Sequence, residues 1–335
     1  MSMAHHERIE AAIAQEPPDR TPIALWRHFP GDDQTVDGLA NAVVDFQTRF
    51  DFDLVKVTEA SGYPAEAWGA RLADAGNDEG TRRYLQRVVE SPEDWHELGA
   101  LDLHENAVLA RELSALELIR EGVGNDVPVM PTIFSPLTIA KQLAGDRMLE
   151  HLRAHPDDLE AGLRTIAETN ARFAAECLHH GADAIFFATQ FASHDLLSDD
   201  EYRQFGVEYD LPVLEAVRAR SRFVLLHLHG PNPMFGLTSV YPVQIVNWHD
   251  RETEPSLGNG RRMLADGAVC GGIDRHAFVE SSPDGVRASI QDARGQTDDR
   301  GVIVSTGCVT LTTTPEANID AARAAVESPL DGGGG

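Results

Sequence analysis

The sequence predicts an α/β chain folded as a (β/α)8 barrel, with a β-hairpin inserted after the second strand. Three observations carry this. Eight short apolar runs recur along the chain, separated by longer stretches with helical spacing. Polar, titratable residues follow the runs, where such barrels place their active sites. The 335 residues also suit a bare barrel of about 250 residues plus insertions.

The runs are Thr21–Trp26, Asp53–Thr58, Val127–Thr132, Ala184–Ala188, Phe223–Leu228, Val243–Trp248, Ala268–Ile273 and Val302–Thr306. They are continuous in apolar character, as parallel strands buried on both faces require. Helices are expected over Leu39–Arg49, Asn106–Glu121, Pro156–His179, Ser198–Arg218, Ser256–Asp266, Ser282–Ala293 and Pro315–Glu327. The phrase SDDE from Ser198 is an N-cap followed by first-turn acids. SPDG and TPEA place proline just inside a helix start. Between Ala70 and Ser91, two polar segments flank GNDEG, the turn of the predicted hairpin. Residues 1–330 read as a single domain and the tail Asp331–Gly335 as disordered.

With 28 basic and 54 acidic residues, the net charge is −26. That excludes a nucleic-acid surface and an anionic membrane as ordinary partners, since both need a basic face. No stretch reaches the roughly 18 apolar residues of a membrane span. No secretory leader is visible in MSMAHHER; the cytoplasm is the expected compartment. Only Lys56 and Lys141 are lysines. Abundant carboxylates with scarce lysine fit adaptation to high salt. Three cysteines, Cys177, Cys270 and Cys308, without a CxxC pair form no disulfide framework. Cys177 and Cys270 read as small buried hydrophobes, and His5 and His6 as solvated.

Residues expected at the mouth of the barrel are Arg27 and His28 after the first run and Glu59 and Tyr63 after the second. Gln190 follows the fourth; Asn247, Trp248 and His249 end the sixth; Asp274 follows the seventh. Lys56 lies within a strand, either paired in the interior or facing the mouth. The sharpest feature is His227-x-His229 together with Cys308 after the last run. Residues i and i+2 of a strand share a face, so both imidazoles can point into the mouth. Two imidazoles and a thiolate make a three-ligand zinc (Zn2+) site with one open position. The other reading is a metal-free polar pocket wall with no cofactor.

The order of these pieces resembles the uroporphyrinogen decarboxylase family, a (β/α)8 (TIM-barrel) superfamily that includes corrinoid- and coenzyme M-linked methyltransferases. The resemblance is carried by ERIEAAIAQEPPDRTPIALWRH at Glu7–His28, LVKVTEASGYPAEAWGA at Leu54–Ala70, PTIFSPLTIAKQLAG at Pro131–Gly145 and GADAIFFATQ at Gly181–Gln190. It continues through LHLHG at Leu226–Gly230, GGIDRHAFVESSPDGVR at Gly271–Arg287 and STGCVTLTTTPEANI at Ser305–Ile319. The decarboxylases imply an arginine pair after strand 1. Arg27 matches the first, but Asp32 and Asp33 stand where a second would fall. Glu59 replaces their aspartate, Lys141-Gln142 their tyrosine, and Cys308 their histidine.

The methyltransferase branch implies His-x-Cys after strand 5 and a distal Cys, holding zinc. His227 and Cys308 match, and His229 replaces the first Cys. An imidazole in place of a thiolate raises the charge of the site and its Lewis acidity. The resemblance therefore implies a zinc-dependent methyl or alkyl transferase acting on a thiol. Cys308 would serve both as ligand and in activation, with Glu59 and Lys56 also catalytic. Arg27, His28, Tyr63, Gln190, Asn247, Trp248 and Asp274 would bind substrate. Its partners would be small molecules, a thiol and a methyl donor, with a possible corrinoid protein and a homodimer. The alternative is a cofactor-free decarboxylase (a lyase) acting on uroporphyrinogen or a related carboxylated tetrapyrrole.

Overall fold

The computed structural model describes residues 2–327, so the predicted tail Asp331–Gly335 lies outside the described residues. Its strands are β1 (Val55–Lys56), β2 (Arg71–Asp74), β3 (Arg82–Gln86), β4 (Val129–Met130), β5 (Thr132–Phe134), β6 (Ile185–Thr189), β7 (Val224–Leu228), β8 (Ile245–Trp248), β9 (Ala268–Ile273) and β10 (Val302–Thr306). β5 to β10 form a six-stranded sheet in chain order, parallel throughout. β1 pairs in parallel with β4. β4 and β5 flank Pro131, which has no N–H to give to a ladder. The two segments turn to different neighbours, β4 to β1 and β5 to β6.

The first predicted strand, Thr21–Trp26, is reduced to a single parallel bridge between Ile23 and Val304. Pro22 offers no donor, and the carbonyl of Trp26 is taken by the amide of Thr310, 2.8 Å away in the loop after β10. This segment is nevertheless tied on two sides. Ala24 N donates to Val304 O at 3.0 Å, and Asp53 N donates to Ile23 O at 2.9 Å. β2 and β3 pair antiparallel across the GNDEG turn.

Helices surround the strands, and several start where a side chain caps them. Thr35 accepts from Gly38 N, Asn106 from Val108 N and Leu109 N, and Ser282 from Gly285 N. These bonds satisfy donors that the first helical turn leaves free. The Pro156–His179 helix has the predicted bounds. The predicted Ser198–Arg218 helix instead carries a π-turn over Arg203–Val207, with Pro212 in the following α-helical segment. Proline removes one helical donor, and wider turns are a usual accommodation. Helices His5–Ile13, Pro136–Ala144 and Arg147–Ala154 carried no prediction. His5 is not a solvated tail residue: its Nδ1 lies 3.0 Å from the buried carboxylate of Asp53.

The strands sort their side chains by a period of two. Phe186, Leu225, Ile245, Ala268, Cys270 and Ile303 belong to one buried cluster, together with Trp26 and Met130. Ile185, Phe187, Val224, Leu226 and Val246 join a second cluster with the helices. Both faces of these strands are therefore buried, as their continuous apolar character requires. Cys177 packs in the outer cluster and Cys270 in the inner one. No helix among the described residues is long and apolar enough to cross a membrane.

Candidate metal centre and cavity

The inner face runs upward from Leu225 to His227 and His229, and from Ile245 to Asn247 and His249, in steps of two. Register places His227 opposite Asn247, with Asn247 opposite Cys270 on the next strand. Beyond β10, Gly307 lets the chain pass close to the end of β8. A Cβ on Gly307 would lie 2.7 Å from Trp248 O and 2.8 Å from His249 Cα, below any tolerable contact. Cys308 is thereby delivered beside His249. The Asp250 carboxylate fixes the same turn by accepting from Gly272 N at 3.1 and 3.2 Å.

The result is a group of four potential ligands, His227, His229, His249 and Cys308, whose donor atoms all lie within 4.8 Å of one another. His229 Nδ1 is 3.8 Å from Cys308 Sγ and 3.3 Å from His249 Nε2. The amide of Asn247 sets the tautomer of His227. Its nitrogen donates to Cys270 O at 2.7 Å and Thr306 O at 3.0 Å, so its oxygen must face His227 Nδ1, 2.6 Å away. Carbonyls accept only, hence Nδ1 carries the proton and Nε2 keeps its lone pair. A set of imidazoles and a thiol, buried except for half-buried His229 and with one imidazole already oriented by a polar neighbour, suits zinc or a similar divalent ion. Burial pushes the Cys308 thiol up, but hydrogen bonds with His227, His229 and His249 outweigh it and hold it well below the ordinary thiol range. Burial favours neutral His227. His249 is also opposed by burial, yet its contact with Cys308 draws it above the ordinary range.

His227, His229 and Cys308 form one wall of a cavity of about 300 Å3, which also contains His28, Lys56, Glu59 and Gln190; His249 joins the cluster from outside that lining. Lys56 is buried, with Nζ 3.1 Å from Thr58 Oγ1 and 4.9 Å from the ring centre of Phe186. Burial lowers it to about 8, against the pull of Glu59. Burial likewise raises Glu59 to about 7 despite Lys56. The Glu59 carboxyl accepts from Thr132 N at 3.1 and 3.3 Å. His28 is pushed down to about 3, first by burial and then by Lys56. Its Nδ1 is buried without a hydrogen bond.

Five residues predicted for substrate contact are not in the cavity wall. Arg27 leaves the mouth and lies over the rings of Phe29 and Phe46, at 5.3 and 5.4 Å. Tyr63 is buried and donates to Thr132 O at 2.8 Å. Trp248 packs edge-on to Phe235, and its indole N–H donates to Pro255 O at 2.8 Å. Asp274 accepts from the amides of His276 and Ala277 at the start of the short helix Ala277–Glu280. Asn247 sits beneath the cavity, behind His227. Conversely, the hairpin brings Glu79, Arg82, Tyr84 and Arg87 into the wall, alongside Lys141 and Gln142. His249 also joins the cluster unforeseen. The signal was present: it follows Asn247 by two, as His229 follows His227.

The chain belongs to the uroporphyrinogen decarboxylase (URO-D) family, whose model matches residues 4–329. It is similar to the methylcobamide:CoM methyltransferase MtbA of Methanosarcina acetivorans, 24% identical over 330 residues covering 93% of this chain and 94% of the relative. A 130-residue stretch, 38% of each chain, is 32% identical to the methylcobamide:CoM methyltransferase MtaA of Methanosarcina barkeri. The solved structure of a methyltransferase from Methanosarcina mazei shares the fold, with a TM-score of 0.84 at 20% identity, covering 97% of this chain and 98% of that one.

Proposed function

We propose that this protein is a methyltransferase that delivers a methyl group to a thiol, with a methylated corrinoid as donor. The observation that carries the reading is the convergence of His227, His229, His249 and Cys308 in one cluster, three of which, His227, His229 and Cys308, line the wall of a cavity. The relatives named as methylcobamide:CoM methyltransferases supply the reaction class. Three of the four side chains at a time would hold zinc and leave one position open; when bound, zinc supplies Lewis acidity that favours a thiol substrate there as its thiolate.

The chain's own residues do the rest. Asn247 keeps the His227 proton on Nδ1 and its lone pair toward the cluster. Lys56 places a cation, unpaired by any carboxylate within salt-bridge distance among the described residues, where an anionic group can enter. Glu59, raised to about 7, is suited to accept the proton that a thiol gives up near neutral pH. The methyl group moves from cobalt to sulfur, and the cobalt–carbon electron pair stays on the corrinoid. The cofactor-free decarboxylase assigns carboxylate binding to Arg27, which lies outside the cavity wall, and that reading is not favoured.

Metal analysis of protein purified without a tag or added metal, together with Cys308→Ser, tests the centre. About one zinc per chain, lost in the variant, is expected. Methylcobalamin and a panel of small thiols then test the reaction, read as the spectral change at cobalt and as methylated thiol. Zinc-replete enzyme that demethylates no corrinoid with any thiol refutes the transfer reading.

A further inference from the structure

The turn of the β2–β3 hairpin rests on the mouth of the cavity. Asp78 O accepts from Thr312 N at 2.7 Å and from Thr312 Oγ1 at 2.9 Å. Gly80, at φ +75°, approaches so closely that a Cβ there would be 2.8 Å from His28 Cβ. Between them, Glu79 Oε1 accepts from Arg275 Nη1 at 2.6 Å. The Arg275 side chain is only 11% exposed. Its Nε is buried with no hydrogen bond, yet lies 3.4 Å from Glu252 Oε1. That same oxygen lies 3.3 Å from His249 Nδ1, and His249 Nε2 faces His229.

We propose that Arg275 is a positioning residue that couples closure of the hairpin to the donor strength of His249, through Glu79 on one side and Glu252 on the other. The inference rests on the reading of the His/Cys cluster as a metal centre. With the hairpin closed, Glu79 holds the guanidinium, and Glu252 Oε1 is left to accept from His249 Nδ1–H. That bond makes Nε2 the better donor, as an acceptor behind a ligating imidazole does. With the hairpin lifted, Arg275 loses Glu79, and its unfilled Nε turns on the oxygen that His249 uses. Closure therefore strengthens metal binding, and by reciprocity metal binding favours closure. The cavity would open to reactants when the centre is loosely held and close when it is tight.

Hydrogen exchange over residues 75–81, with and without zinc, is measured alongside zinc affinity by chelator competition. In the wild-type protein zinc is expected to slow exchange in the turn several-fold. Glu79→Gln should weaken zinc several-fold and abolish that slowing. Glu252→Gln should weaken zinc about 10-fold or more while the zinc-free turn stays protected, because Glu79 still holds Arg275. Turn exchange that ignores zinc in a wild type that binds it, or an unchanged zinc affinity in Glu79→Gln, overturns the coupling alone. A wild type that binds no zinc overturns both the coupling and the metal-centre reading.

Discussion

Replacing Asn247 with alanine strips a buried amide that serves three partners: His227 Nδ1, Cys270 O and Thr306 O. The side chain has no solvent exposure, so water cannot readily take over. Each group left unpaired costs about 1–3 kcal/mol. The three share one site and do not add fully, which gives a loss of about 3–5 kcal/mol. Equilibrium urea unfolding of the zinc-free protein reads this loss directly. The same change frees His227 to rotate and to move its proton to Nε2, so zinc affinity should fall about 10- to 100-fold. A stability loss below about 1 kcal/mol with zinc affinity unchanged would refute the assigned tautomer and the role of Asn247 behind the ligand. Asn247→Asp should be worse still, since a carboxylate oxygen would then face two carbonyls.

Three other outcomes follow from the geometry. Asp210 is buried and accepts from Tyr241 Oη at 2.5 Å and Tyr202 Oη at 3.1 Å, and burial raises it to about 7. The folded state thus binds a proton that the unfolded state has already lost. Its stabilising contribution is full below about pH 4 and disappears as pH rises through about 7. Asp210→Asn should flatten that part of the urea stability profile, and an unaltered slope would remove Asp210 as its source. Gly80→Val places a branched side chain at positive φ against His28, a strain of about 1–3 kcal/mol; limited proteolysis should then cut residues 75–81 faster, with global unfolding little changed, and equal cutting rates would mean the turn does not bear on His28. A net charge of −26 should make the melting temperature rise from about 0.1 M to molar potassium chloride as repulsion is screened, and a flat or falling trend would refute salt adaptation.

The sequence alone determined the α/β class, the positions of the strands from Ile185 onward and the inward parity of His227 and His229. All of these rest on local periodicity, which continuous apolar runs and the i, i+2 rule express directly. Parity failed where the backbone is irregular. Pro22 and the Thr310–Trp26 bond leave the first segment with one bridge, and Arg27 emerges on the outer side against Phe29 and Phe46 rather than in the mouth. Asn247 has the expected parity but the wrong depth, because carbonyls of β9 and β10 claim its amide below the cavity.

Only the tertiary structure decided which distant residues meet. His249 reaches Cys308 because Gly307 has no Cβ to hold the two segments apart. Arg82 and Arg87 enter the wall because the inserted hairpin folds over the mouth, and Arg275 meets Glu79 across 196 residues of chain. Local spacing fixes the direction in which a side chain leaves its strand. Its depth in the mouth and its partners across the mouth depend on close approaches of backbone that no local pattern encodes.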